Sequence, residues 1–138
     1  MKKHLVIAVD FDGTCVEGAF PEIGADMPHA VEALRELARR GHKLVLWTCR
    51  ENDGHRIDRQ HLAAAEAWFS FRNIPLRSVN ETHIEDEFRP VDGPFGRRGR
   101  KVYADIYIDD KNIGGFPGWK AVLAERSEER RVGKECRL

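Results

Sequence analysis

Apolar positions along this chain fall into two kinds of block. Leu5-Val6-Ile7-Ala8-Val9 is a continuous apolar run, rich in β-branched residues, that stops at Asp10. Leu44-Val45-Leu46-Trp47-Thr48 is a second. Runs this short, without polar alternation, predict strands buried on both faces. Leu76 to Val79 predicts a short third strand, and Tyr103-Ala104-Asp105-Ile106-Tyr107-Ile108 a fourth. Between them the apolar spacing becomes helical. Val31, Leu34, Leu37 and Ala38 predict a helix with Asp26 as N-cap, Pro28 in its first turn and Gly41 at its end. Ile57, His61, Leu62, Ala65, Trp68, Phe69 and Phe71 predict a second helix from about Ile57 to Phe71, closed by Asn73-Ile74-Pro75. Trp119 to about Ala124 or Arg126 begins a last helix. Strands alternating with helices imply parallel pairing through right-handed crossovers.

The ends of these strands carry the candidate chemistry. In an open parallel sheet, ligands bind outside the carboxyl ends of the strands. There the first run delivers Asp10 and Asp12, with Gly13 for a sharp exit and Thr14 beside them. Two carboxylates so close repel unless a cation joins them. Mg²⁺ suits them, because it takes hard oxygen ligands together with water and phosphate. A carboxylate held in this way can also attack phosphorus as a nucleophile. The plain alternative is that Asp-x-Asp-Gly only ends a strand in a turn. The fourth strand ends in Asp109-Asp110, so three or four carboxylates are expected at one end of the sheet. Strand alternation predicts that Asp109 and Asp110 point apart, one of them acting through water. Thr48, at the tip of the second strand, offers a neutral hydroxyl to a phosphate oxygen, with backbone amides following it.

Three stretches, DFDGT at 10–14, LVLWTCR at 44–50 and the acidic pair at 109–110, resemble the first, second and fourth motifs of the haloacid dehalogenase (HAD) superfamily, in order. The resemblance runs from residue 4 to about 124. It implies a HAD-like, Rossmann-type parallel sheet with helices on both faces. It also implies Mg²⁺-dependent hydrolysis of a phosphoric monoester, with Asp10 as nucleophile and Asp12 as general acid and base. Thr48 and a lysine would hold the phosphoryl oxygens. Lys101 is the candidate, as in relatives with an Arg-Lys pair before the fourth strand; Lys111 is second, and Arg100 third. Asp10, Asp12 through its backbone carbonyl, Asp109 and Asp110 are the implied metal ligands. Cys49 and Arg50, following Thr48, are substrate-binding candidates, although as side chains Cys15 and Cys49 read as small packing groups. Segments 15–25 and 80–100 are too short for a folded cap, so the reading is a capless member with an open site, accepting large substrates or covered by a neighbouring subunit. Arg50 and the arginines of 89–100 read as substrate contacts or as solvated cations. Rivals are a receiver-type phospho-acceptor module, and an inactive relative that works by protein contacts.

Composition narrows the classes. With 138 residues the chain suits one domain. The 23 basic and 23 acidic residues balance, which disfavours nucleic acid and membrane surfaces as partners. A small phosphorylated metabolite is the expected substrate, with self-association possible. No apolar run approaches 18 residues, and the run after Lys2-Lys3 ends too soon for a signal peptide. Three cysteines without a CxxC pair point to a reducing, cytoplasmic setting. The six histidines lack metal-ligand spacing. The domain is therefore expected over 1–126. Residues 127–138 are charged, lack helical spacing and resemble an adapter-derived tail; they are expected to be disordered and non-native.

Overall fold

The first apolar run is the centre of the sheet. In a computed structural model, which describes residues 4–83 and 100–125, it forms β1 (Val6–Val9). Three further strands follow: β2 (Lys43–Leu46), β3 (Ser78–Val79) and β4 (Ile106–Ile108). The order is β3-β2-β1-β4 and every pair is parallel. Ile7, Ala8, Val9, Leu44, Val45 and Leu46 are each at most 1% exposed. Because neighbouring residues of a strand face opposite ways, both faces of the central strands are covered. This is the expected Rossmann-like α/β sheet, and the described residues include no separate cap domain.

The crossovers carry α1 (Ala30–Arg39) and α2 (His61–Phe71). Both run in the same direction along the sheet, so right-handed connections set the two helices on one face. Ala33, Leu34 and Leu37 of α1, and Ala65, Trp68 and Phe69 of α2, join Ile7, Val9, Leu44 and Leu46 in one core. Phe11, just past β1, packs edge-on against Trp68 with centroids 5.7 Å apart. Residues 119–125 are helical, and Trp119 Nε1 donates to Thr14 O at 2.8 Å, which ties that helix to the turn after β1.

Several predicted boundaries move. The first helix is not capped by Asp26. Its N-cap is His29, in the left-handed region at φ 65°, while Asp26 accepts from Trp68 Nε1 at 2.8 Å and pairs with Arg72 at 3.2 Å. A tertiary partner has taken the side chain that local sequence assigns to the cap. The second helix is shorter than predicted: Ile57–Arg59 is a separate 3₁₀ turn, and the chain breaks at Gln60 (φ −93°, ψ 61°). The Gln60 side chain donates to the carbonyls of Gly54 and Arg56, which holds the preceding loop in place. Ile57 and Phe71, expected on the apolar face, are 92% and 83% exposed. Strands β3 and β4 are also shorter than their apolar runs. The tail 127–138 and the arginines at 89, 97 and 98 lie outside the described residues.

Candidate active site

Sheet register brings the strand tips level. Val9 pairs with Leu46 on one side and Ile108 on the other. The next residues continue the ladder: Asp10 N donates to Ile108 O and Trp47 N to Val9 O, both at 2.9 Å. Asp10 and Asp109 therefore leave adjacent strands side by side. Asp10, Asp109 and Asp110 each present a carboxylate oxygen, and the three oxygens lie within 4.8 Å of one another. The predicted divergence of Asp109 from Asp110 does not hold. Strand pairing stops at Ile108, so the two residues no longer follow the pleat and both reach the cluster.

The turn after β1 is built to hold Asp10. Thr14 N and Cys15 N donate to Phe11 O at 3.1 and 2.9 Å, folding the chain back. The buried Thr14 hydroxyl then donates to Asp10 Oδ2 at 3.1 Å, and Cys15 Sγ, also buried, donates to Asp10 O at 3.3 Å. Gly13 has φ +84°, and a Cβ there would lie 2.2 Å from Asp110 Oδ2. A glycine is required at this position both by conformation and by the close approach of the second acidic strand tip.

Electrostatics give the cluster its character. Burial, and next the charge of Asp109, push the Asp10 carboxyl from 3.8 up to about 7. The bond from Thr14 opposes this only in part. Three half-buried carboxylates drawn together at one end of the sheet, with the ionisation of Asp10 held back by burial and by Asp109, are a donor set suited to a hard divalent cation. A measurable consequence follows. The folded chain binds the Asp10 proton more tightly than the unfolded chain does, so the metal-free protein keeps this contribution in full below about pH 3.8 and loses it as pH rises towards about 7. After allowance for solvent screening, the loss is roughly 1–2 kcal/mol. Urea melts in EDTA are expected to show it as a fall in stability between pH 4 and 7 that is absent from Asp10→Asn. Mg²⁺ should add more stability at pH 8 than at pH 5; equal pH profiles for the two proteins would contradict the assignment.

The remaining predicted residues are placed as follows. Thr48 follows the tip of β2, next to β1; its N–H donates to Asn80 Oδ1 at 2.8 Å and its Oγ1 accepts from Arg50 N at 3.1 Å. The hydroxyl proton therefore remains to be donated, but the Thr48 and Arg50 amides are already used. Asn80 was not anticipated. Its signal was its position just beyond the third strand, where Asn readily adopts the positive φ seen here, 54°. Cys15 is buried as expected, whereas Cys49 is exposed and does not pack.

Lys101 and Lys111 are both exposed. Lys101 Nζ sits 4.8 Å from the Tyr107 ring centroid, and Lys111 Nζ is 3.9 Å from Asp110 Oδ2. Among the described residues the lysine that touches the acidic cluster is therefore Lys111, the second candidate, and not Lys101. Arg100 is exposed.

Arg50 matches neither expectation. It is not a substrate contact or a solvated cation: it is 2% exposed. Its Nε and Nη2 donate to Asp12 Oδ2 and Oδ1, both at 2.7 Å. Its remaining N–H groups reach Pro21 O, Glu22 O and His61 O at 3.2, 2.8 and 3.4 Å. The Asp12 carboxylate is engaged by this clamp and is not one of the three clustered carboxylates, which leaves its backbone carbonyl as the expected metal contact.

A hollow of about 850 Å³ lies between α2 and β3, lined by Ala67, Ser70, Pro75, Leu76 and their neighbours. It contains none of the clustered carboxylates and Glu66 is its one titratable side chain, so the strand tips are the better site.

Comparison with known proteins gives one clear relationship. No family model and no curated protein matches the chain. A solved structure of a conserved protein from Bacteroides thetaiotaomicron matches with a TM-score of 0.74 and 36% identity, over 91% of this chain and 92% of that one. At that identity and coverage, the chain belongs to the same family as this conserved Bacteroides thetaiotaomicron protein.

Proposed function

We propose that the protein is a divalent-metal-dependent phosphoric monoester hydrolase of the HAD type, working through an aspartyl-phosphate on Asp10. The observation that carries this reading is the meeting of Asp10, Asp109 and Asp110 oxygens within 4.8 Å at the tips of adjacent parallel strands. The DFDGT turn, with its glycine demanded by Asp110, supports the same reading.

The chemistry needs two transfers. An Asp10 carboxylate oxygen attacks phosphorus as the bond to the leaving oxygen breaks, and Asp12 delivers a proton to that oxygen. Water then attacks the aspartyl-phosphate and gives a proton back to Asp12; the bond between phosphorus and the Asp10 oxygen breaks, releasing phosphate. The Thr48 hydroxyl, whose proton is free to donate, and the Lys111 ammonium, 3.9 Å from Asp110 Oδ2, are the groups assigned to the phosphoryl oxygens. Mg²⁺, when bound by Asp10, the Asp12 carbonyl and Asp109 or Asp110, would offset the negative charge gathered there. The balanced charge disfavours nucleic acid and membrane surfaces and so favours a small phosphorylated metabolite, and three cysteines without a CxxC pair favour a cytoplasmic setting.

Phosphate release from p-nitrophenyl phosphate is the first test. Continuous turnover with Mg²⁺, abolished by EDTA and restored by added Mg²⁺, is expected. A stable acyl phosphate without turnover would instead favour a phospho-acceptor module, and no phosphoryl transfer at all would remove the reading.

A further inference from the structure

Arg50 is the most completely engaged side chain around the strand tips. Its guanidinium uses all five N–H donors: two on the carboxylate of Asp12, the others on the carbonyls of Pro21, Glu22 and His61. Aromatic rings also hold the plane, with the Phe11 and Phe20 centroids each 5.1 Å from its central carbon. A planar fork held in this way cannot swing, and it presents two parallel donors to one carboxylate. Asp12, whose side chain is 25% exposed, is consequently fixed in rotation as well as in place. A carboxylate offers about four lone-pair sites, so a bidentate clamp still leaves one on each oxygen facing away from the arginine.

We infer that Arg50 is the positioning residue for Asp12: it touches no substrate, but orients the Asp12 carboxyl so that the proton carried on one of the lone-pair sites the clamp leaves open points at the leaving-group oxygen and passes to it as the bond to phosphorus breaks. This rests on the phosphoric monoester reading above. It goes beyond that reading in giving the residue after Thr48-Cys49 a defined task. It also makes Phe20, on the loop between β1 and α1, part of the support. A lysine cannot perform this task, because one ammonium is a point charge and does not span two oxygens.

The test uses the difference between leaving groups. Phenyl phosphate needs its leaving oxygen protonated, whereas 2,4-dinitrophenyl phosphate leaves well without help. Single-turnover release of each phenol, with Mg²⁺ present, reads only the first transfer. In Arg50→Lys, release from phenyl phosphate is expected to fall about 10²-fold or more, and release from 2,4-dinitrophenyl phosphate less than about 10-fold, the range general acid catalysis supplies. Asp12→Asn should show the same selectivity. Phe20→Leu should follow it more weakly, about 3- to 10-fold on phenyl phosphate alone. Because that ring is 59% exposed, the change does not open the core, and this variant decides the matter if Arg50→Lys does not fold. Equal losses on the two esters in a folded variant would overturn the positioning role while leaving the hydrolase intact. A wild-type protein inert toward both esters would overturn the hydrolase and, with it, this role.

Discussion

Asp10→Asn is expected to lower phosphate release from p-nitrophenyl phosphate by at least about 10³-fold while making the metal-free protein more stable at pH 8. The two halves have one cause. Asp10 supplies the attacking oxygen, and removing a nucleophile removes the covalent route. The same carboxylate is held beside Asp109 and Asp110, and burial together with the charge of Asp109 raises its pKa to about 7. An amide of the same shape has no charge to repel and can donate to its neighbours. Relief of roughly 1–2 kcal/mol should raise the melting temperature by roughly 3–8 °C in EDTA. Mg²⁺ should then stabilise the variant less than the wild type, because one ligand is lost. Activity near the wild-type level in Asp10→Asn would eliminate the aspartyl-phosphate. A lower melting temperature without metal would show that the carboxylates are not in conflict.

Gly13→Ala is expected to damage the site more than its size suggests. At φ +84° an alanine costs about 1–2 kcal/mol in backbone strain. Its methyl group would also meet Asp110 Oδ2 at 2.2 Å, so the Asp110 carboxylate must swing out of the cluster. Displacing a ligand in this way should weaken Mg²⁺ binding on the order of 10–100-fold, with activity at fixed Mg²⁺ falling in step. Calorimetric titration of Mg²⁺ checks the first effect, and recovery of activity at high Mg²⁺ checks the second. An alanine variant with unchanged Mg²⁺ affinity would mean that Asp110 is not needed by the metal.

Much of the fold was legible because buried parallel strands have a plain signature. The runs at 5–9 and 44–48 could be little else, and they are β1 and β2, the two best-buried strands. The ends of elements were less legible. Asp26 reads as a cap from its neighbours in sequence, yet Trp68 and Arg72, 42 and 46 residues away, take its oxygens. Ile57 and Phe71 carry the apolar pattern past the point where the core ends. The amphipathic repeat records a preference for burial; whether a core is within reach depends on the packing of other elements.

The candidate site divides in the same way. The residue types and their places at strand tips belong to the chain itself: Asp10, Asp12, Gly13, Thr48 and Asp109-Asp110 follow from short-range pattern and the geometry of parallel sheets. The partners of those residues do not. Lys111 rather than Lys101 meets Asp110, Asn80 takes the amide of Thr48, and Arg50 is buried on Asp12 across 38 residues of sequence. Long charged side chains have many rotamers of similar energy, so which carboxylate or carbonyl they reach is decided only once the backbone has closed around them. Local sequence therefore determined where the carboxylates stand, and tertiary structure alone decided which of them face one another and which is clamped by an arginine.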